Sequence, residues 1–273
     1  MENKTKLVCL ITGGSSGIGR ACAEVFGKAG YAIVISGRNK ETLENTCIEL
    51  RSKQIDITGV PADAASEADA ALLVDKTIAT YGQLDVLINN AGISMRALFQ
   101  DTDVSVIREV MNINFWGMVY VTKAAMPHIL KSKGSILGIS SIAGYRGLPA
   151  RTGYSASKFA MNGFLEALRT ELLQSGVHVC TVAPGFTASN IRNTALDASG
   201  KAQGESPLNE KGIMSAEEVA LHILRAVQKR KRSIVLTSQG KLTVFLNKLF
   251  PGWMDKKVFQ HFAKEKDSPL SSH

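Results

Sequence analysis

The sequence predicts one α/β domain in which helices cover both faces of a parallel, doubly wound sheet. Two observations carry that expectation. Short apolar, β-branched runs alternate with longer helical patterns along most of the 273 residues, and a glycine-rich turn joins the first run to the first helix. Composition agrees, because 45% hydrophobic and 21% charged residues describe a globular chain with material for a large core. Length alone leaves one α/β domain or two smaller ones open, and the unbroken alternation favours one.

Taken in order, Leu7 to Ile11 is the first strand, and the helix after it runs from about Ile18 to Ala29 and stops at Gly30. Ala32 to Ser36 reads as the second strand, Ile57 to Pro61 as a weaker third and Val86 to Asn89 as the fourth, each followed by a helical stretch. Ser135 to Ser140, Val177 to Ala183 and Ser233 to Thr237 complete a seven-stranded sheet. From Phe186 to Ser215, Gly, Ser, Asn and Pro dominate and apolar periodicity is weak, as expected of a mobile lid. Beyond Thr237, Leu242, Phe245, Leu246 and Leu249 recur at helical spacing. Met254, Val258, Phe259 and Phe262 do the same after the Pro251-Gly252 break, which predicts two short amphipathic helices. The expected organisation is a domain over 1–238, with the lid at 186–215, and a helical tail over 239–273.

The net charge of +8 is not spread evenly. Met1 to Leu224 holds 21 basic and 21 acidic residues, whereas Arg225 to His273 holds 11 and 3. A neutral body argues against a broad nucleic-acid surface and leaves a local anionic surface as the partner of the tail. Cys9, Cys22, Cys47 and Cys180 form no C-x-x-C pair, which points to reduced, buried residues and neither a zinc cage nor a disulfide framework. The five histidines form no ligand-spaced cluster, so no metal is expected. No apolar run reaches the roughly 18 residues of a membrane span, and nothing at the start reads as a signal peptide. The expected location is cytoplasmic, with peripheral membrane contact through the tail.

Thr12-Gly13-Gly14-Ser15-Ser16-Gly17-Ile18-Gly19 falls between the first strand and the first helix. Glycines there let the backbone approach a pyrophosphate, and the helix start offers free N–H groups and a positive dipole end. The spacing and the strand context predict a dinucleotide-binding turn over an ordinary tight strand-to-helix turn. The end of the second strand, Ser36-Gly37-Arg38-Asn39, carries a base and no acid. A guanidinium there can pair with the 2′-phosphate of NADP, so NADP is the expected cofactor, a solvated surface arginine being the weaker alternative.

Tyr154-Ser155-Ala156-Ser157-Lys158 places a phenol and an ammonium four residues apart, on one face if a helix runs through them. A tyrosine pKa of about 10 suits proton transfer poorly near neutrality, and a neighbouring cation favours the phenolate. Ser140-Ser141 ends the fifth strand, with Ser141 13 residues before Tyr154, where open α/β sheets bind ligands. Asn114 lies in an apolar helix, where an amide needs a partner.

Together these residues resemble the short-chain dehydrogenase/reductase family from residue 5 to about 238. Asp63 matches its adenine-contacting aspartate, Asn89-Asn90-Ala91-Gly92 its NNAG element, and Ile113-Asn114-Phe115-Trp116-Gly117 the helix of its catalytic asparagine. Ser141, the YxxxK set and Pro184-Gly185 follow in order. The resemblance implies Tyr154 as proton donor or acceptor, Lys158 as its pKa partner and ribose contact, Ser141 as the holder of the substrate oxygen, and Asn114 as the anchor of a water in a proton relay. It implies cofactor contacts from Gly13 to Gly19, at Asp63, Asn90, Ala91 and Gly92, and from Pro184 and Gly185 to Thr187 and Ser189. Ser189 stands where the family often has a threonine, with Thr187 as the second candidate. It further implies a homodimer or homotetramer built through the helices of Asn114 and Tyr154.

The aromatic, basic tail is similar to those of membrane-associated relatives that reduce lipophilic ketones, the 3-ketodihydrosphingosine reductases and the 11β-hydroxysteroid dehydrogenase group. The expected reaction is NADPH-linked interconversion of a ketone and a secondary alcohol on a lipophilic substrate, with Met95, Ile142, Phe186 and Ile191 as candidate pocket residues. Tyr145 is expected to form a pocket wall. A 3-oxoacyl-(acyl-carrier-protein) reductase shares the core motifs but usually ends soon after the seventh strand. A non-enzymatic NADP sensor or membrane-docking module would not need Asn114, Ser141, Tyr154 and Lys158 together.

Overall fold

The computed structural model describes residues 6–187, 191–204 and 213–272. Seven parallel strands form one sheet: β1 (Val8–Ile11), β2 (Ala32–Gly37), β3 (Ile57–Pro61), β4 (Val86–Asn89), β5 (Ser135–Ile139), β6 (His178–Ala183) and β7 (Ser233–Val235). Their order is β3-β2-β1-β4-β5-β6-β7, so the winding direction reverses between β1 and β4. Every residue of β1, β4, β5 and β6 is buried, which is why these strands read as unbroken apolar runs and not as alternating ones.

Alternate strand residues feed two cores. Cys9 and Ile11 face α1 (Gly17–Lys28), α2 (Lys40–Ser52) and α7 (Ala216–Gln228), where Phe26, Leu50 and Ile223 pack. Leu10 and Leu87 face α3 (Glu67–Tyr81), α5 (Gly117–Ser132) and α6 (Thr152–Glu171), packing with Leu73, Ile129 and Leu165. Side chains fix several helix starts: Asn39 accepts from Thr42 N, Ser66 from Asp69 N, and Ser215 forms a reciprocal capping box with Glu218. α1 differs, because the Ser16 side chain caps nothing among the described residues.

The remaining helices are α4 (Val104–Met111), α8 (Ser238–Leu249) and α9 (Pro251–Phe262), and one π turn, Asn112–Trp116, joins α4 to α5. β7 ends at Val235, earlier than the expected Thr237, because Thr237 turns to φ 66° and caps α8 by accepting from Gly240 N. The two tail helices form as expected. Met254, Val258 and Phe262 pack against Leu148, Phe186, Leu246 and Leu270, whereas Leu242, Phe245, Leu249, Phe250, Trp253 and Phe259 stay exposed. In the expected lid, Leu196 bridges to Met95 and Ala202, and Thr187 to Met214. Among the described residues no helix is long and apolar enough to cross a membrane.

Candidate active site

The carboxyl ends of the central strands border one cleft of about 380 Å³, at the switch point between β1 and β4. Its floor is stapled across that point. The Thr12 hydroxyl accepts from Asn90 N and Ala91 N, each at 3.0 Å, and Asn90 Nδ2 donates to the carbonyls of Thr12 and Gly13 at 2.9 Å. Gly13 has φ 62°, and a Cβ there would sit 2.9 Å from Ala91 Cα, so only glycine lets the two loops meet.

Gly13, Ser15, Ser16, Gly17 and Ile18 line the cleft, with Arg38 and Asp63 exposed on its rim and Asn90, Ala91 and Gly92 along its floor. Gly14 and Gly19 lie behind this surface. A Cβ on Gly14 would reach 2.4 Å from Ile35 Cγ2, and one on Gly19 2.3 Å from the Gly13 carbonyl. The uncapped start of α1 opens here, so its first N–H groups are left for a ligand. A glycine cradle, an uncapped helix start and a rim guanidinium fit the phosphates of a dinucleotide.

At the other end α6 carries the chemistry. Ser141 and the Tyr154 phenol line the same cleft, and Ser141 Oγ accepts from Ala143 N at 3.1 Å. Burial pushes the Tyr154 phenol up, while Ser141 and the Arg151 and Arg192 guanidiniums draw it down. Lys158 points elsewhere: its Nζ donates to the Ile139 carbonyl at 2.8 Å, lies 3.5 Å from Met161 Sδ and sits 5.6 Å from the centre of the Tyr154 ring. Burial pulls the ammonium down to about 7. Besides Lys158 over the ring, the phenol feels two arginines that the Y-x-x-x-K spacing does not reveal.

Asn114 sits behind the cleft in the π turn. Its Oδ1 accepts from Ile93 N at 2.8 Å, and its Nδ2 donates to Ile93 O and Ser157 Oγ, each at 2.9 Å. Ser157 Oγ in turn donates to Tyr154 O at 2.7 Å, which ties the two helices together at the reacting end. A Cβ on Gly92 would lie 3.1 Å from Asn114 Oδ1 and 3.7 Å from Lys158 Nζ, so this glycine is what lets the amide and the ammonium approach.

Pro184, Gly185 and Thr187 line the cleft, and Thr187 Oγ1 donates to the Gly185 carbonyl at 3.3 Å. Ser189 lies outside the described residues. Phe186 and Ile191 line the pocket as expected, but Met95 and Ile142 do not. Met95 is fully buried beneath Tyr154, and Ile142 packs beside Gly240 of α8. Tyr145 is off the cleft, with its carbonyl accepting from Asn247 Nδ2 at 3.2 Å. Leu148, Arg151, Arg192 and Phe262 complete the wall. Sequence reasoning missed Arg151, which precedes α6 as its N-cap residue, three residues before Tyr154. Nothing local could reveal that Phe262, from α9, closes the same pocket.

A family model described as short chain dehydrogenase matches residues 7–199. Mouse "Dehydrogenase/reductase SDR family member 7B" is 37% identical over 270 residues, which cover 97% of this chain and 84% of the relative. "11-beta-hydroxysteroid dehydrogenase-like 2" of Arabidopsis thaliana is 39% identical over 194 residues, 70% of this chain and 62% of the relative. Among solved structures, a short chain dehydrogenase/reductase from Burkholderia phymatum in complex with NAD superposes with a TM-score of 0.82 at 24% identity, over 93% of this chain and 96% of that one. A variant actinorhodin polyketide ketoreductase with NADPH gives 0.74 at 29% identity, over 83% and 92%. The seven-stranded sheet, the glycine turn at its switch point and the match over residues 7–199 agree, and the chain belongs to the short-chain dehydrogenase/reductase family.

Proposed function

We propose that this protein is an NADPH-dependent oxidoreductase that interconverts a ketone and a secondary alcohol on a lipophilic substrate, with a 3-ketosphinganine-type lipid first and a hydroxysteroid second. The observation that carries the reading is that Ser141, Tyr154 and Lys158 line one end of a cleft whose other end fits a dinucleotide. NADPH, when bound, supplies the hydride. Tyr154 gives its proton to the carbonyl oxygen, and the Ser141 hydroxyl stabilises the charge that develops there. Lys158 and Asn114, brought close across Gly92, form the route by which the phenolate is reprotonated.

Arg38 on the rim supports NADP over NAD, since the rim at the end of β2 offers a base and no carboxylate. Leu148, Phe186, Ile191 and Phe262 support a lipophilic substrate, and the Arabidopsis relative is named for a steroid dehydrogenase. The wall formed by α9 disfavours the acyl-carrier-protein reductase reading. The joint presence of Asn114, Ser141, Tyr154 and Lys158 disfavours a non-enzymatic sensor or docking module.

The decisive assay follows NADPH and NADH oxidation with 3-ketodihydrosphingosine, a 3-ketosteroid, an 11-ketosteroid and a β-ketoacyl thioester. Turnover of a lipophilic ketone with NADPH, lowered by roughly 10²–10⁴-fold in Tyr154→Phe, is the expected result. Near-normal turnover by that variant would overturn the mechanism. We also propose a peripheral contact with anionic membranes on the cytoplasmic side through the exposed Phe245, Phe250, Trp253 and Phe259 and their flanking lysines. A homodimer or homotetramer would form through the π turn with α5 and through α6, where Trp116 and Phe159 are exposed. Vesicle sedimentation with and without Phe245→Ser/Phe259→Ser, and light scattering on the eluted protein, test these two.

A further inference from the structure

Arg151 is the N-cap residue of α6, three residues before Tyr154, and reaches the substrate wall, yet its guanidinium is engaged from behind. Its Nη2 donates to both carboxylate oxygens of Glu265, at 2.9 and 2.7 Å, its Nη1 donates to Pro149 O at 3.3 Å, and it stacks on the Phe262 ring at 4.6 Å. Glu265, 3% exposed, is itself wedged between two cations, with Arg96 Nε 3.4 Å from Oε2. Arg96 Nη2 donates to the carbonyls of Lys266 and Asp267, at 2.6 and 3.0 Å, which fixes the segment that carries Glu265. Arg192, the other arginine of the wall, donates to the Thr187 carbonyl at 3.0 Å.

From this geometry we infer that Glu265 is a specificity-determining residue that acts through Arg151: by occupying the guanidinium it closes the substrate wall to carboxylate-bearing substrates and leaves it suited to uncharged ones. A buried arginine stripped of its carboxylate is costly to keep unpaired, so it recruits whatever anion reaches it. The substrate pocket is the side from which an anion can arrive, because Glu265 and the chain after Phe262 cover the other. Phe262, stacked on the same guanidinium, adds an apolar face to that wall. The inference rests on the assignment of this cleft as the substrate pocket and deepens it by excluding one class of substrate.

The test compares heptan-2-one with 6-oxoheptanoate, the same methyl ketone chain ending in a methyl or a carboxylate. Both are offered to the full-length protein with NADPH, read by NADPH oxidation and, independently, by the shift in the thermal midpoint. Wild type should favour heptan-2-one by both readouts. Glu265→Gln should move the preference toward 6-oxoheptanoate by about tenfold or more, Glu265→Asp should retain the wild-type order, and Arg151→Met/Glu265→Gln should show no gain for the carboxylate. An unchanged preference in a folded Glu265→Gln protein, or an equal gain in the double variant, would overturn the inference. If Glu265→Gln folds only poorly, 6-oxoheptanoate and not heptan-2-one should restore the folded fraction. Failure of the carboxylate to do so counts against the inference as well. Absence of turnover with both ketones in wild type would bear on the proposed reaction, while the midpoint shifts would still decide the role of Glu265.

Discussion

Replacing Lys158 with methionine should abolish turnover and yet stabilise the cofactor-free protein, most strongly at neutral and acid pH. The ammonium is buried and its pKa falls from 10.5 to about 7 because water is excluded around it. Between those values the unfolded chain holds a proton that the folded chain has released, so wild-type stability rises with pH across that window. Below about pH 7 both states are protonated and the burial penalty is present in full. At about 1.4 kcal/mol per pH unit, the gap corresponds to a penalty of about 5 kcal/mol, which fades as pH approaches 10.5. Methionine removes the charge but leaves the Ile139 carbonyl without its 2.8 Å donor, a loss of about 1–3 kcal/mol. The variant should therefore be more stable by about 2–4 kcal/mol at pH 6. It should become equal to or less stable than wild type by pH 10. Urea unfolding of both proteins at each pH from 6 to 10 measures this, and every other titrating group is common to the pair. Parallel stability curves, or a wild type that is the more stable protein at pH 6, would refute the reasoning.

Three further outcomes follow from the same geometry. Arg38→Ala should weaken NADPH binding by about 10- to 100-fold while leaving NADH almost unchanged, as read by fluorescence titration of the two dinucleotides. Gly19→Ala should fail to bind either dinucleotide, because its Cβ would lie 2.3 Å from the Gly13 carbonyl; a variant with wild-type affinity for both would show that the turn is not the binding loop. Ser215→Ala removes the hydroxyl half of the capping box on α7 and should lower stability by about 1 kcal/mol in urea, without changing turnover.

The sheet was legible because β1, β4, β5 and β6 are buried on both faces and their composition alone separates them from the helices. The cofactor end was legible for a related reason: Gly13, Gly17 and the start of α1 are local in sequence, and the backbone geometry they impose is written in the residues themselves. The substrate end was not. Met95 and Ile142 are apolar and near the motifs, but their side chains turn into the core and toward α8. Arg151 and Glu265 are 114 residues apart, and neither shows in sequence what the other does to it. The π turn at Asn112–Trp116 also left no periodic signal, since it adds a single wider turn to an otherwise continuous helical pattern. Tail amphipathicity predicted both helices, but not that Met254, Val258 and Phe262 would turn inward while Phe245 and Trp253 stayed in solvent.

Tyr154 and Lys158 ride on a single rod, α6, whose N-cap residue Arg151 is gripped by the segment after α9. A chimera that combined this sheet and this helix with the C-terminal stretch of a relative would thus transplant more than a surface. Unless the donor stretch brought an acid to the place of Glu265, the grip on the N-cap would be lost, and the rod would be free to tilt at the end where proton transfer occurs. In engineering or recombination, Arg151 and residues 251–268 are best exchanged as one unit, with the crossover placed ahead of Ser238 and the helix-start arginine taken from the same parent.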